Sequence, residues 1–223
     1  QHIFGLDDLG RDIFARIWIG GRVSLTIGVV GALVSLLIGV LYGGISGYLG
    51  GLVDDIMMRI LEILSGIPYM VMVIIVTVFL GKGMSSLLLA LCITSWTGLA
   101  RLVRGQVLEL KECEYVMAAK ALGTPTLKIV TRHLIPNTMS IIIVQTTFSI
   151  PSFIFSEAFL SFIGMGIQPP SPEWGALLSN AQTYLFSAPY MLLFPGMFIL
   201  LSSLAFNLVG DGLTDALDPK LKD

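Results

Sequence analysis

Long apolar runs separated by short polar or glycine-rich intervals dominate the chain. Val23 to Val53 carries no charged residue. A bilayer core about 30 Å thick needs about 20 apolar helical residues, so this stretch predicts one membrane span with residues to spare. A second span starts at a polar edge, Asp54, Asp55, Arg59 and Glu62, and continues to Leu80, interrupted by Ser65, Gly66 and Pro68. Further spans are predicted over about Met84–Ala100, Thr138–Phe162 and Tyr190–Val209, five in all. GYLGG (47–51) and Gly81-Lys82-Gly83 read as turns. Pro151 predicts a kink in the fourth span, and Pro195–Gly196 a break early in the fifth. Gly164–Pro189 reads as a loop. In residues 1–22, Ile13, Phe14, Ile17 and Trp18 recur at helical spacing between Arg11, Asp12 and Arg16, which suits a short helix on the membrane surface.

The one long polar interval, Glu114 to Asn137 (EYVMAAKALGTPTLKIVTRHLIPN), is too ordered for a slack linker. Glu114–Leu122 is a run of helix formers with small residues at Ala118, Ala119 and Ala121. Gly123 predicts a helix stop. Thr124 reads as an N-cap with Pro125 at the first helical position. A second amphipathic run has Leu127, Ile129, Val130 and Leu134 apolar and is expected to end at Pro136 and Asn137. The pattern is helix, glycine turn, helix, proline stop, with an alanine face that another protein could approach closely.

Composition agrees with a membrane protein. Hydrophobic residues make up 55% of the 223 and charged residues 13%, and mean hydropathy is +0.87; soluble domains carry roughly 25% charged residues. The net charge of −2 says little, but the placement of charge says more. Six of the 13 basic residues lie between Arg101 and Arg132, which marks that side as cytoplasmic. Lys220 and Lys222 fall on the same side. Arg11, Arg16 and Arg22 fall outside, against the rule. The chain begins with Gln1 and no signal peptide, and an additional span before residue 1 would place the N-terminus inside.

Chemistry-bearing motifs are sparse. No GxxxxGK[ST], HExxH, GxSxG or Cys/His cluster occurs, so no cofactor or metal site is suggested and the chain does not read as an enzyme. Cys92 reads as a small packing residue, and His2 as an exposed polar one. No two carboxylates fall together within one span. Glu157, alone among ionisable residues in its span, is the candidate intramembrane functional residue. The small residues Gly28, Gly31, Ser35, Gly39, Gly43, Gly44, Ser46 and Gly47 suit helix packing, with a glycine-lined path as the alternative. Energy for uphill transport would have to arrive from another protein, through the polar interval.

The sequence resembles the membrane subunits of bacterial ABC importers, in particular the C-type permease subunit of oligopeptide and dipeptide systems. The family's motif is Glu-Ala-Ala, three residues, Gly, nine residues, then an Ile-x-Leu-Pro-like ending. Ala118, Ala119, Gly123 and Pro136 occupy the matching positions; Met117 replaces the Glu and Ile135 the Leu. Glu114, one turn earlier, offers a substitute carboxylate. FGLDDLGRDIFAR (4–16), GYLGG (47–51), ARLVRGQVL (100–108), LSFIGMGIQPPSPEWG (160–175) and FNLVGDGLTDALDP (206–219) resemble segments of the same subunit, so the match covers nearly the whole chain.

The resemblance implies an all-α polytopic transmembrane bundle, with five spans here and six in the full protein. It divides the chain into an outer-side interfacial segment (1–22), a transmembrane domain (23–212) with a cytoplasmic coupling loop at about 105–137, and a cytoplasmic tail (213–223). It also implies a site in the bacterial inner membrane. The implied partners are membrane lipid, a second homologous permease subunit, two cytoplasmic ATPase subunits and an extracellular or periplasmic peptide-binding protein, with no nucleic acid. Glu114, Met117, Ala118, Ala119, Ala121, Leu122, Gly123 and Pro136 would form the ATPase-coupling interface. The competing readings are import of a nickel chelate or another small solute, and an ion-coupled carrier that works without ATPase partners through Glu157.

Overall fold

A computed structural model describes residues 2–167 and 172–217. The described residues are helical apart from turns, 3₁₀ and π segments and one isolated bridge between Leu6 and Asp12. Helix α1 spans Ile13–Leu49, α2 Gly51–Gly66, α3 Tyr69–Leu80, α4 Met84–Leu110, α5 Glu114–Ala121, α6 Thr126–Ile129, α7 Ile135–Phe162, α8 Trp174–Ala181 and α9 Tyr190–Leu217. A π-helical turn, Val130–Leu134, joins α6 to α7. Four helical stretches are long and apolar enough to cross a membrane: α1, α4, the α6–α7 run and α9. The pair α2 and α3, bent by 83°, makes a fifth if it is taken as one broken span.

Several expected boundaries move, each for a local reason. The surface helix expected to end at Arg22 is the first part of α1, which runs unbroken to Leu49. Nothing between Arg22 and Val23 stops a helix, and the Trp174 side chain packs against Gly21. Helix α4 passes Ala100 and carries Arg101 and Arg104 as helical residues, because both guanidiniums find partners along it. Pro195 sits inside α9 without ending it. The expected loop 164–189 contains α8, whose Trp174, Leu177 and Ala181 are buried at helical spacing; that apolar period was the signal for it. Residues 213–217 of the tail continue α9, while Lys220 and Lys222 lie outside the described residues.

The chain forms two units. One comprises 1–32, 70–93 and 147–209. Its core gathers Ile13 and Ile17 of α1, Ile154 and Ala158 of α7, Trp174 and Leu177 of α8, and Met191 and Ile199 of α9. The Trp174 indole N–H donates to the Ile17 carbonyl at 2.9 Å. The segment before α1 is tied down here: Phe4 stacks on Phe194 at 4.1 Å, and the Tyr190 hydroxyl donates to the Leu6 carbonyl at 3.1 Å. His2 is exposed, as expected, and pairs with Asp12 at 2.9 Å. Asp7 is the hub. It accepts from the backbone N–H groups of Leu9 and Arg11 and from the guanidiniums of Arg11 and Arg16. Burial alone raises its carboxyl, but these donors outweigh burial and hold it below the usual aspartate range.

The other unit comprises 33–69, 94–146 and 210–223. Here α1 and α4 approach closely. A Cβ on Gly43 would lie 2.2 Å from the Ala100 carbonyl oxygen, so this glycine is a packing residue, as the spacing suggested. The Ser35 and Ser95 hydroxyls meet at 2.5 Å between the same helices.

Two predictions follow from these contacts. Gly43→Ala must push the α4 backbone away and should destabilise the detergent-solubilised protein by about 1–3 kcal/mol. Gly98→Ala, with open space at its Cβ, should leave melting unchanged or raise it slightly; equal melting of the two variants would refute the close approach. Asp7, with its carboxyl depressed in the folded state, stabilises the 2–12 segment above the ordinary aspartate pKa. That stability is lost as pH falls through the folded value. Hydrogen exchange of residues 5–12 should therefore rise on acidification below the usual aspartate range and stay protected at neutral pH, and Asp7→Asn should be unprotected at both.

Candidate functional site

The polar interval folds as two short helical pieces at a fixed angle. Helix α5 starts with Glu114 in its first turn and ends with Lys120 in its last, charges that complement the helix dipole. Its C-terminus is a Schellman motif: Thr124 N–H donates to Ala119 O at 3.1 Å and Gly123 N–H to Lys120 O at 3.0 Å. Gly123 has φ +74° there, a conformation that costs a side-chain-bearing residue about 1–2 kcal/mol. The backbone of Pro125 is extended, with ψ 142°, so the helix starts one residue later than expected. Pro125, not Thr124, is the N-cap of α6, its carbonyl accepting from Lys128 and Ile129.

The expected stop at Pro136 does not occur. The chain runs from α6 through the π-turn into α7, with Pro136 as the second residue of that helix. A π-turn widens the spiral to i→i+5 bonding. Immediately before a residue with no N–H and a bulky ring, that widening removes the contact that would otherwise end the helix.

Beneath these pieces lies an apolar core built from Val103 and Val107 of α4, Val116 and Ala119 of α5, Ile129, and Val130 and Leu134 of the π-turn. Ala119 is thus a core residue, 8% exposed, and not part of an outer face. The other seven residues of the expected interface, Glu114, Met117, Ala118, Ala121, Leu122, Gly123 and Pro136, are all exposed. Leu127, expected on the apolar face, points outward at 66% exposure. With Tyr115, Met117 and Leu122 it makes an exposed apolar set, in which Leu122 reaches 86%. Tyr115 was not singled out by sequence, and Leu127 was assigned to the inward face of its run.

Charged groups brace the same unit. Arg104 donates to both oxygens of Asp54 at 2.6 and 2.5 Å, and Ser46 donates to the same carboxylate. Arg101 donates to the Leu61 carbonyl and the Ser65 hydroxyl, the latter in the stretch that ends α2 before the 83° bend. Lys111 donates to the Gly47 carbonyl at 3.2 Å. The fork geometry of arginine suits such a bidentate pair.

In the other unit, Glu157 is fully buried. It is not alone there. Glu173, from the start of α8, is equally buried. The Ser161 hydroxyl stands 2.7 Å from Glu173 Oε1 and 3.2 Å from Glu157 Oε1. The sequence reading found no carboxylates together within a span; the fold brings one in from 16 residues further along the chain. Among the described residues no group of three or more His, Cys, Asp or Glu could hold a metal ion.

Comparison with known proteins places this architecture. The family model described as "Binding-protein-dependent transport system inner membrane component" matches residues 14–223. The chain belongs to this family. It is 51% identical over 223 residues to the dipeptide transport system permease protein of Bacillus subtilis, covering 100% of this chain and 70% of that protein. It is 48% identical over 219 residues to the oligopeptide transport system permease protein of Escherichia coli K12, covering 98% of this chain and 72% of that one. The fold also matches the MetNI methionine ABC transporter in an inward-facing conformation, with a TM-score of 0.73 at 15% identity over 96% of this chain and 100% of that one. As a member of the permease family, the chain is an integral membrane component and not itself an enzyme.

The geometry of the polar interval separates two kinds of variant. Ala119→Trp should overpack the core and lower stability by about 1–3 kcal/mol or more. Ala118→Trp, on the exposed face, should leave the stability of the isolated protein within about 0.5 kcal/mol of wild type. Equal melting of the two would refute this seating of α5, and the reverse order would show it seated the other way round.

Proposed function

We propose that this permease is the translocation subunit of an ATP-driven importer of dipeptides or oligopeptides in the bacterial inner membrane, and that α5 and the Gly123 turn are where a cytoplasmic ATPase subunit docks. The observation that carries the docking site is the exposed apolar set Tyr115, Met117, Leu122 and Leu127. It lies on a segment also lined with exposed Glu112, Lys120, Lys128 and Arg132, and so outside the hydrocarbon. Apolar side chains this exposed beside charges mark a contact surface for another protein. The peptide cargo is supported by the two permeases named above, one of a dipeptide and one of an oligopeptide system. Family membership weighs against a carrier that works without ATPase partners, and the named relatives weigh against a nickel chelate.

The local mechanics suit such a role. Helix α5 is fastened to α6 by the Schellman bonds, and α6 runs through the π-turn into α7. The core under α5 includes α4 residues. A pull on α5 would reach α4 and α7 as a rigid displacement rather than being absorbed by a slack loop. Met117, in place of the family motif's Glu, makes the contact apolar at that position. The second permease subunit, the second ATPase and an external peptide-binding protein complete the proposed assembly.

Single cysteines at Leu122 and Met117, with Cys113 removed, test this in native membranes containing the full-length protein. A short bifunctional thiol reagent should capture a cytoplasmic ATPase, in a yield that changes when ATP is added. Cysteine at Ala119 should react poorly. Reactive cysteines that capture no ATPase would sink the docking site. Capture of the ATPase without peptide uptake by the assembled system would instead sink the cargo assignment.

A further inference from the structure

Glu157 and Glu173 present a problem of donor counting. Both side chains are fully buried. The Ser161 hydroxyl has one proton for the two Oε1 atoms within its reach. The Ile167 N–H supplies a second donor, to Glu173 Oε1 at 2.8 Å. Both Oε2 atoms are buried without any partner. The Ser24 hydroxyl of α1 is a further hydrogen-bonding partner of Glu157, so three donors face four carboxyl oxygens, and the two carboxyl groups interact directly. A buried acceptor without a donor forfeits its hydration with nothing in return, and the cost is greater if it is charged.

The surroundings do not supply a neutralising cation. Lys82 is the charged group facing this region from the α3–α4 turn, and its ammonium donates to the Gly164 carbonyl at 2.8 Å. Among the described residues it makes no ion pair with either carboxyl. Nor is there space for an ion against Glu173 Oε1, since a Cβ on Gly166 would lie 2.4 Å from that atom. Gly175 is equally tight, its Cβ position 2.3 Å from the Ala158 carbonyl. A proton is the one cation that takes no volume.

We propose that Glu157 and Glu173 hold one proton between them, so that one carboxyl donates to the other, and that this pair fastens the chain following α7 to the end of that helix. The shared proton turns one buried acceptor into a donor and bonds the two carboxyl groups to each other. It also leaves the pair with one negative charge instead of two, in a region where each buried charge is expensive. The parts joined are α7 through Glu157 and Ser161, the turn after it through Ile167, and the start of α8 through Glu173. Trp174, next in the chain, carries the same junction to Ile17 of α1. A cavity of about 180 Å³ lined by Lys82, Ser161, Glu173 and Asn180 lies against the pair.

Infrared spectroscopy of the full-length protein in its native assembly reads the proton directly. At neutral pH the unmodified protein should show the carbonyl stretch of a buried protonated carboxyl, shifted by heavy-isotope glutamate labelling. Glu157→Gln and Glu173→Gln should each abolish that band. Hydrogen exchange distinguishes a shared proton from a bound cation. The amide of Gln replaces the donated proton, so Glu157→Gln should keep the Ile167 amide protected, whereas Glu157→Ala should lose that protection. No protonated-carboxyl band at neutral pH, or loss of protection in Glu157→Gln equal to that in Glu157→Ala, would overturn the proposal. Should a variant fail to assemble, the labelled unmodified protein decides: an unshifted band would overturn it too.

Discussion

Water is absent from the middle of a bilayer, and that constraint decides where this chain can bend and where it can carry charge. Every polar group drawn into a helical stretch must find its partner in protein. Arg104 is held by Asp54, and Arg101 by Leu61 and Ser65. The second of these partnerships holds the last turns of α2. Glu157 is met by Ser161 and Glu173. Arg101 and Arg104 lie inside α4, but the partners they reach, Asp54, Leu61 and Ser65, lie along α2, so the charges of one helix brace the other.

Much of this was legible in sequence because its signals are local. Uncharged runs gave the spans, and GYLGG and Gly81-Lys82-Gly83 gave the turns. Gly123 gave the end of α5, since a left-handed residue after a run of helix formers leaves few alternatives. The errors have a common origin in bonds made elsewhere. Thr124 does not cap α6 because Pro125 stays extended, and the Pro125 carbonyl takes the first helical bonds. Pro136 did not stop a helix because the preceding turn had widened. Arg101 and Arg104 did not end α4 because their partners lie some 36 to 50 residues away. Glu173 looked like a loop carboxylate, and only α8, itself missed within a turn-rich stretch, carries it to Glu157.

The polar interval shows how one residue type serves two purposes. Ala118, Ala119 and Ala121 read alike in sequence as a small face suited to close approach. The fold divides them. Val116 and Ala119, three apart, turn inward, where a small residue lets α5 lie against α4 and the π-turn. Ala118 and Ala121 turn outward beside Met117 and Leu122. An eight-residue helix has room for only two inward positions, so its seating depends on the Schellman closure and on the chain at either end more than on its own buried area.

That division bears on what covers α5. An ordinary surface helix keeps its apolar stripe inward and its polar face out. Here the outward positions hold Met117, Ala118, Ala121 and Leu122, while the inward ones are a valine and an alanine. The exposed side therefore carries more apolar residues than the buried side, together with Glu114 and Lys120, on a segment whose flanking charges keep it out of the lipid. A sequence under no demand beyond folding would place Leu122, immediately before a left-handed glycine, in the core or replace it with a polar residue. Leu122 is 86% exposed at the end of α5, and Gly123, with φ +74°, turns the chain immediately after it, so the residue that closes the helix adjoins the most exposed apolar side chain of the segment.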